Sequence, residues 1–104
     1  MTKKIIPKEL DKLMKSEQIN IIDVRESWEY EICKIVPSIN VPLNQLPAYS
    51  QKLEPSSKLY VVCHSGIRSQ SATEFLVNRG FDAVNVEGGV DLWAQSVDKS
   101  MKRY

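Results

Sequence analysis

Short runs of β-branched and aliphatic residues alternate along this chain with stretches whose apolar residues recur at helical spacing, and no other feature narrows the possible folds so far. Ile19-Asn20-Ile21-Ile22-Asp23-Val24 is nearly continuous in apolar character, as expected of a strand covered on both faces. Ile39-Asn40-Val41 before Pro42, Leu59-Tyr60-Val61-Val62 behind the turn chemistry of Pro55-Ser56-Ser57, and Ala83-Val84-Asn85-Val86 repeat the pattern, and residues 3–6 read as a short first strand. Between them, Pro7 opens a helix with Leu10, Leu13 and Met14 at helical spacing. Residues 25–32 read as a loop with a short helix, 44–53 as a weak helix, and 67–79 as a helix with Ala72, Phe75 and Leu76 on one face, stopped at Gly80. Glu87-Gly88-Gly89 turns the chain into a last helix carrying Val90, Leu92 and Trp93, with Val97 a turn beyond. Such alternation predicts an α/β domain with a mainly parallel sheet. Functional groups in these sheets gather outside the C-terminal strand ends. Asp23 and Cys63 lie at two such ends, so the architecture brings Asp23, Arg25 and residues 63–69 toward one edge, closed by Gly88 and Gly89.

The remaining bulk properties bound the answer. A chain of 104 residues, 42% hydrophobic and 26% charged, has one core's worth of material, and the absence of repeats, linkers or low-complexity stretches predicts a single domain over 1–104. A formal net charge of +1 gives no electrostatic basis for a nucleic-acid or membrane partner, and Lys99, Lys102 and Arg103 read as a solvated basic end. No apolar run approaches the roughly 20 residues of a membrane span, and the apolar part of Met1–Pro7 is too short for a secretory signal, so the expected location is the cytoplasm. Two cysteines, Cys33 and Cys63, are separated by 29 residues. In a reducing compartment they are expected to be free thiols.

The chemistry concentrates in Cys63-His64-Ser65-Gly66-Ile67-Arg68-Ser69, a strand end followed by a tight loop and a helix start. An ordinary thiol, with a pKa of about 8.5, is only a few per cent thiolate at neutral pH. A helix N-terminus favours an anion by about 0.3 to 1 kcal/mol, rising to about 2 where partly buried. Converging loop N–H groups and the charge of Arg68 add to that, and Gly66 lets successive N–H groups turn inward to form a concave anion site. Cysteine is also one of the most buried residue types and often a plain core residue. A core thiol, however, has no use for the small polar residues, the glycine and the Arg68-Ser69 helix start that follow Cys63. Cys63 therefore reads as a nucleophile in an anion cradle, whereas Cys33, lacking such a setting, reads as structural, with redox exchange as the lesser reading.

Other residues carry weaker signals. His64 is the sole histidine, and the cysteines and carboxylates offer no metal-ligand spacing, so no metal and no other cofactor is expected. His64 either adds positive charge at low pH or is an exposed loop side chain. Asp23 beside Arg25 is either an ordinary strand-end ion pair or a support that steadies Arg68 and the loop. Trp28 and Trp93 are expected in the core.

The residues Ile22-Asp23-Val24-Arg25-Glu26 with Trp28-Glu29-Tyr30, then Ile39-Asn40-Val41-Pro42-Leu43, Tyr60-Val61-Val62-Cys63, Gly66-Ile67-Arg68-Ser69 and Gly88-Gly89 with Trp93, resemble the single-domain rhodanese family in order and spacing over nearly the whole chain. The resemblance implies a central parallel five-stranded sheet flanked by helices on both faces, with the active-site loop after the fourth strand. It implies that Cys63 cycles between thiolate and persulfide, taking a sulfane sulfur from thiosulfate or a persulfide and passing it to a thiol, a protein sulfur acceptor or cyanide. The N–H groups of His64, Ser65, Gly66, Ile67, Arg68 and Ser69 would cradle the persulfide, with Arg68 attracting the donor's sulfonate. A monomer or weak dimer is expected. Where relatives often carry Gly-His-Ile-Pro-Gly-Ala, this chain has Cys33-Lys34-Ile35-Val36-Pro37-Ser38, a departure that bears on acceptor or partner recognition more than on the chemistry at Cys63.

Two other functions share these features. Protein-tyrosine phosphatases on a similar scaffold also pair a cysteine with an arginine, but with five residues between them. Here four intervene between Cys63 and Arg68, making a tighter cradle that suits sulfur better than a phosphoryl group. A non-catalytic binding module would keep the fold, and retention of Cys63 speaks against it.

Overall fold

Five parallel strands, in the order β1-β5-β4-β2-β3, form the sheet of the computed structural model, which describes residues 2–104. Met1, part of the segment read above for a secretory signal, lies outside them. The strands are β1 (Lys3–Ile5), β2 (Asn20–Asp23), β3 (Ile39–Asn40), β4 (Lys58–Val62) and β5 (Asp82–Val86). The connecting helices are α1 (Pro7–Ser16), α2 (Ser27–Ile32), α3 (Leu46–Ser50), α4 (Ile67–Asn78) and α5 (Gly89–Ser96).

The near-continuous apolar runs have a direct structural cause. Along β2, β4 and β5, alternate residues face opposite sides. Ile22, Leu59, Val61 and Ala83 pack with Leu46 of α3 and Ala72 and Leu76 of α4. Ile21, Tyr60, Val62, Val84 and Val86 pack with Leu10 of α1 and Val90 and Trp93 of α5. Both faces of the central strands are therefore dry, and each buried aliphatic side chain contributes about 1.5 to 3 kcal/mol relative to exposure.

β4 is the axis of the sheet, paired to β2 with Asp23 opposite Val62 and to β5 with Asn85 opposite Val61. The register sets Asp23, Asn85 and the residue after Val62, which is Cys63, side by side at the C-terminal edge. Cys63 itself is 1% exposed and its side chain belongs to the α3/α4 cluster.

Three expectations are corrected. The stretch read as one helix over 44–53 is a 3-10 turn at Leu43–Gln45 followed by the short α3; Pro47, lacking an N–H, cannot extend a helical ladder begun before it. Trp93 is buried, but Trp28 is 59% exposed, because α2 turns it outward beside the chain's end. That end is no free basic tail. Met101 packs against the α1/α5 core cluster, Arg103 pairs with Asp91 at 2.9 Å, and Tyr104 lies against His64.

Candidate active site

The loop after β4 is shaped by two glycines. Gly66 has φ +103°, a conformation that side-chain-bearing residues avoid, and it turns its N–H onto Cys63 Sγ at 3.0 Å just before α4 begins. Gly89, with φ +59°, starts α5 so close to the loop that a Cβ there would collide with the carbonyl oxygens of Cys63 and His64. That closeness lets Val90 N–H donate to the Cys63 carbonyl at 2.9 Å and Asp91 N–H to the His64 carbonyl at 3.0 Å. The N-terminus of α4 thus faces the sulfur, while that of α5 holds the loop's backbone.

A second donor reaches the sulfur from the first turn of α4. Ser69 Oγ lies 3.3 Å from Cys63 Sγ and 2.6 Å from Asn85 Oδ1, and both Ser69 and Asn85 are buried. The Asn85 amide in turn donates to the carbonyl of Gly66 at 3.3 Å and to Gln70 Oε1 at 3.1 Å. Asn85 therefore ties β5, the loop and α4 together, a role invisible in the sequence, where it is one polar residue within a strand.

Arg68 does not stand free. Its two terminal nitrogens donate to the two carboxylate oxygens of Glu29 at 2.7 and 2.8 Å. The Glu29 carboxylate also accepts the Glu26 N–H at 2.9 Å and the Tyr104 hydroxyl at 2.9 Å. Arg68, opposed by burial, holds the Glu29 carboxyl down at about 2, and Glu29 holds the Arg68 guanidinium above the ordinary arginine range.

Asp23 and Arg25 form a buried pair, neither exposed, with Arg25 Nη2 2.7 Å from Asp23 Oδ2 and Nε donating to both carboxylate oxygens at 2.9 and 3.0 Å. The remaining Arg25 donors reach the Glu29 carbonyl at 3.2 Å, the Cys33 carbonyl at 2.7 Å and the Tyr104 hydroxyl at 2.9 Å. Burial opposes the Arg25 charge, and Asp23 and Tyr104 more than offset it. The pair is an ion pair at the end of β2, and hydrogen bonds run from it through the Tyr104 hydroxyl and the Glu29 carboxylate to Arg68. Among the described residues no buried side-chain nitrogen or oxygen lacks a partner.

The structure brings Cys63, Gly66 and Ser69 together, but of the loop's backbone N–H groups it is that of Gly66 that donates to the sulfur, and Ser69 reaches it through its hydroxyl. It sets Ser65 and Ile67 at the exposed rim, Ile67 being 76% exposed, and places the His64 ring parallel to Tyr104 with centroids 4.1 Å apart. Cys33 is a free, half-buried thiol whose sulfur lies 3.8 Å from Arg25 Nη1. Glu29, Asn85 and Tyr104 join the network without having been singled out. Glu29 was legible only as part of the Trp28-Glu29-Tyr30 string, and Tyr104 carried no signal.

Chemically, the arrangement is a buried sulfur surrounded by fixed dipoles: one backbone N–H, one hydroxyl and a helix N-terminus behind them. Comparison with known proteins agrees with that chemistry. The rhodanese-like domain family model matches residues 6–96. The chain is 35% identical over 94 residues to the thiosulfate sulfurtransferase GlpE of Coxiella burnetii, covering 89% of this chain and 88% of that one. It is 31% identical over 83 residues to the putative sulfurtransferase YtwF of Bacillus subtilis, covering 80% and 81%. Other relatives are longer: the chain spans 45% of the putative sulfur carrier protein YrkF of Bacillus subtilis and 26% of the adenylyltransferase and sulfurtransferase UBA4 of Yarrowia lipolytica. Among solved structures, a rhodanese-like domain protein from Staphylococcus aureus superposes with a TM-score of 0.86 at 31% identity over 99% of both chains. The chain belongs to the rhodanese-like sulfurtransferase family.

Proposed function

We propose that the protein moves a sulfane sulfur from thiosulfate or a persulfide to a thiol or cyanide acceptor through a persulfide on Cys63. The Cys63 thiolate attacks the outer sulfur of the donor. The new bond is Sγ–S, and the donor's own S–S bond breaks with its electron pair leaving on sulfite or on the donor thiolate. The acceptor thiolate then attacks the outer sulfur of the persulfide and carries it away, regenerating the Cys63 thiolate. The two steps balance without an outside oxidant or reductant.

The observation that carries this reading is the pair of donors on Cys63 Sγ, the Gly66 N–H at 3.0 Å and the Ser69 hydroxyl at 3.3 Å. They are fixed donors placed against the atom that would carry the charge of the thiolate and of the persulfide. Ser69, Asn85, Gly66 and Gly89 hold the geometry, while Arg25, paired with Asp23, reaches the loop through Tyr104, whose ring stacks on His64.

Turnover of thiosulfate with cyanide, followed by thiocyanate formation, tests the activity. Wild-type protein is expected to form thiocyanate and Cys63→Ser to form none. Equal turnover in the two would remove Cys63 from the reaction.

A further inference from the structure

The resemblance assigned Arg68 to the sulfonate of an inorganic donor, yet the guanidinium is already met end-on by a carboxylate. Each terminal nitrogen gives one N–H to Glu29, which is 4% exposed and is held in addition by the Glu26 N–H and the Tyr104 hydroxyl. A dianionic oxyanion approaching Arg68 meets a guanidinium whose charge is already balanced by the buried carboxylate behind it. The same matching of charge extends along this edge: Arg25 is paired with Asp23 and Arg103 with Asp91. On the other flank of the loop, Lys4 lines a depression that it shares with Glu87.

Beside these neutral pairs the surface is aromatic. The Tyr104 ring lies at 12° to the His64 ring with centroids 4.1 Å apart, and Trp28 meets Tyr104 edge-on at 6.3 Å. The Tyr104 hydroxyl accepts from Arg25 Nη1 at 2.9 Å and donates to Glu29 Oε1 at 2.9 Å. Burial pushes that hydroxyl up to about 12, so it keeps the proton it donates. One residue therefore walls the loop with its ring and, with its oxygen, couples the buried Asp23–Arg25 pair to the counter-ion of Arg68.

We propose that Glu29, positioned by Tyr104, determines the donor class: by keeping Arg68 as half of a neutral pair, it makes the site select a sulfane sulfur carried on an organic thiol over a small dianionic oxyanion. This rests on the persulfide reading of Cys63. In that reading an alkyl persulfide RS–S⁻ gives its outer sulfur to Cys63 and leaves as RS⁻. One negative charge departs, against two on sulfite, and the organic body has the aromatic row to lie against.

The test compares two alkylating agents of nearly the same size, anionic iodoacetate and neutral iodoacetamide, on the peptide that contains Cys63. Uncovering a unit charge near the sulfur is expected to raise the iodoacetate-to-iodoacetamide rate ratio about tenfold in Glu29→Gln, and about threefold in Tyr104→Phe, which keeps the ring and loses only the hydroxyl. Adding Arg68→Ala to Glu29→Gln should abolish the rise. In turnover, wild-type kcat/KM is expected to favour an alkyl persulfide over thiosulfate by about tenfold or more. That preference should fall in both single variants through a lower thiosulfate KM rather than a higher kcat. Unchanged alkylation ratios in folded Glu29→Gln and Tyr104→Phe would overturn the proposal, as would a wild-type preference for thiosulfate. Because alkylation needs no turnover, it decides the charge question even if the wild-type protein transfers sulfur from neither donor, a result that would instead defeat the sulfurtransferase reading.

Discussion

The hydroxyl of Ser69 has one proton and two acceptors, Asn85 Oδ1 at 2.6 Å and Cys63 Sγ at 3.3 Å. When the sulfur carries a proton, the hydroxyl serves Asn85; when it carries charge, the hydroxyl can turn to the sulfur at small cost. Ser69→Ala removes that choice and leaves Asn85 Oδ1 buried without its donor. The expected result is a loss of about 1 to 3 kcal/mol in urea unfolding and about a tenfold fall in kcat/KM, in the range of a charge-assisted hydrogen bond. At this scale the loop itself could be read from the sequence, because its strand end, glycine and helix start are contiguous from Val62 to Ser69. Glu29, Asn85 and Tyr104 could not. Glu29 is 39 residues from Arg68 and Tyr104 is 75 from Glu29, so their contacts arise only when β2, β5 and the returning chain end converge on one edge. Trp28 shows the converse: an aromatic residue in a helix so short that it has almost no inner face.

Two helix starts build the cradle, and they do different things. α4 aims its N-terminus at the sulfur, and α5 hydrogen-bonds the carbonyls of Cys63 and His64 through Val90 and Asp91. The second depends on Gly89, where left-handed backbone coincides with contact against the loop's carbonyls. Gly89→Ala is expected to cost about 2 to 4 kcal/mol in thermal or urea unfolding, the sum of a strained conformation and a clash, and to lower sulfur transfer by moving the loop. A stability change below about 0.5 kcal/mol would mean that α5 does not hold the loop. Element boundaries were legible where proline or glycine punctuates the chain, as at Pro7, the first residue of α1, and Gly80 after α4. They were not legible over 44–53, where Pro47 divides a stretch of otherwise uniform pattern into a 3-10 turn and α3.

For the molecule as a whole, the paired charges at the C-terminal edge link the site to acid stability. Pairing with Arg68, against the opposing effect of burial, holds the folded-state carboxyl of Glu29 at about 2, below the ordinary glutamate value of about 4.3. The sign follows directly: the stabilisation is fully present above the unfolded value and is lost as pH falls through that window toward about 2. In Glu29→Gln the fall in unfolding free energy between pH 5 and pH 2.5, taken from urea midpoints, is expected to be smaller than in wild type, although the variant is less stable at neutral pH because Arg68 has lost its counter-ion. An identical slope would show that Glu29 is not held as described. The α/β class and the parallel sheet were legible in the alternation of strand and helix patterns. The strand order β1-β5-β4-β2-β3 was not, since pairing β4 between β2 and β5 depends on crossovers that no local pattern encodes.

The claim on which all three scales rest is that Cys63 carries sulfur, and the most direct measurement is the intact mass of the protein after incubation with thiosulfate and, separately, with an alkyl persulfide. The account predicts a gain of one sulfur atom, removed by dithiothreitol and absent in Cys63→Ala. No gain with either donor, or a gain that persists in Cys63→Ala, would contradict it.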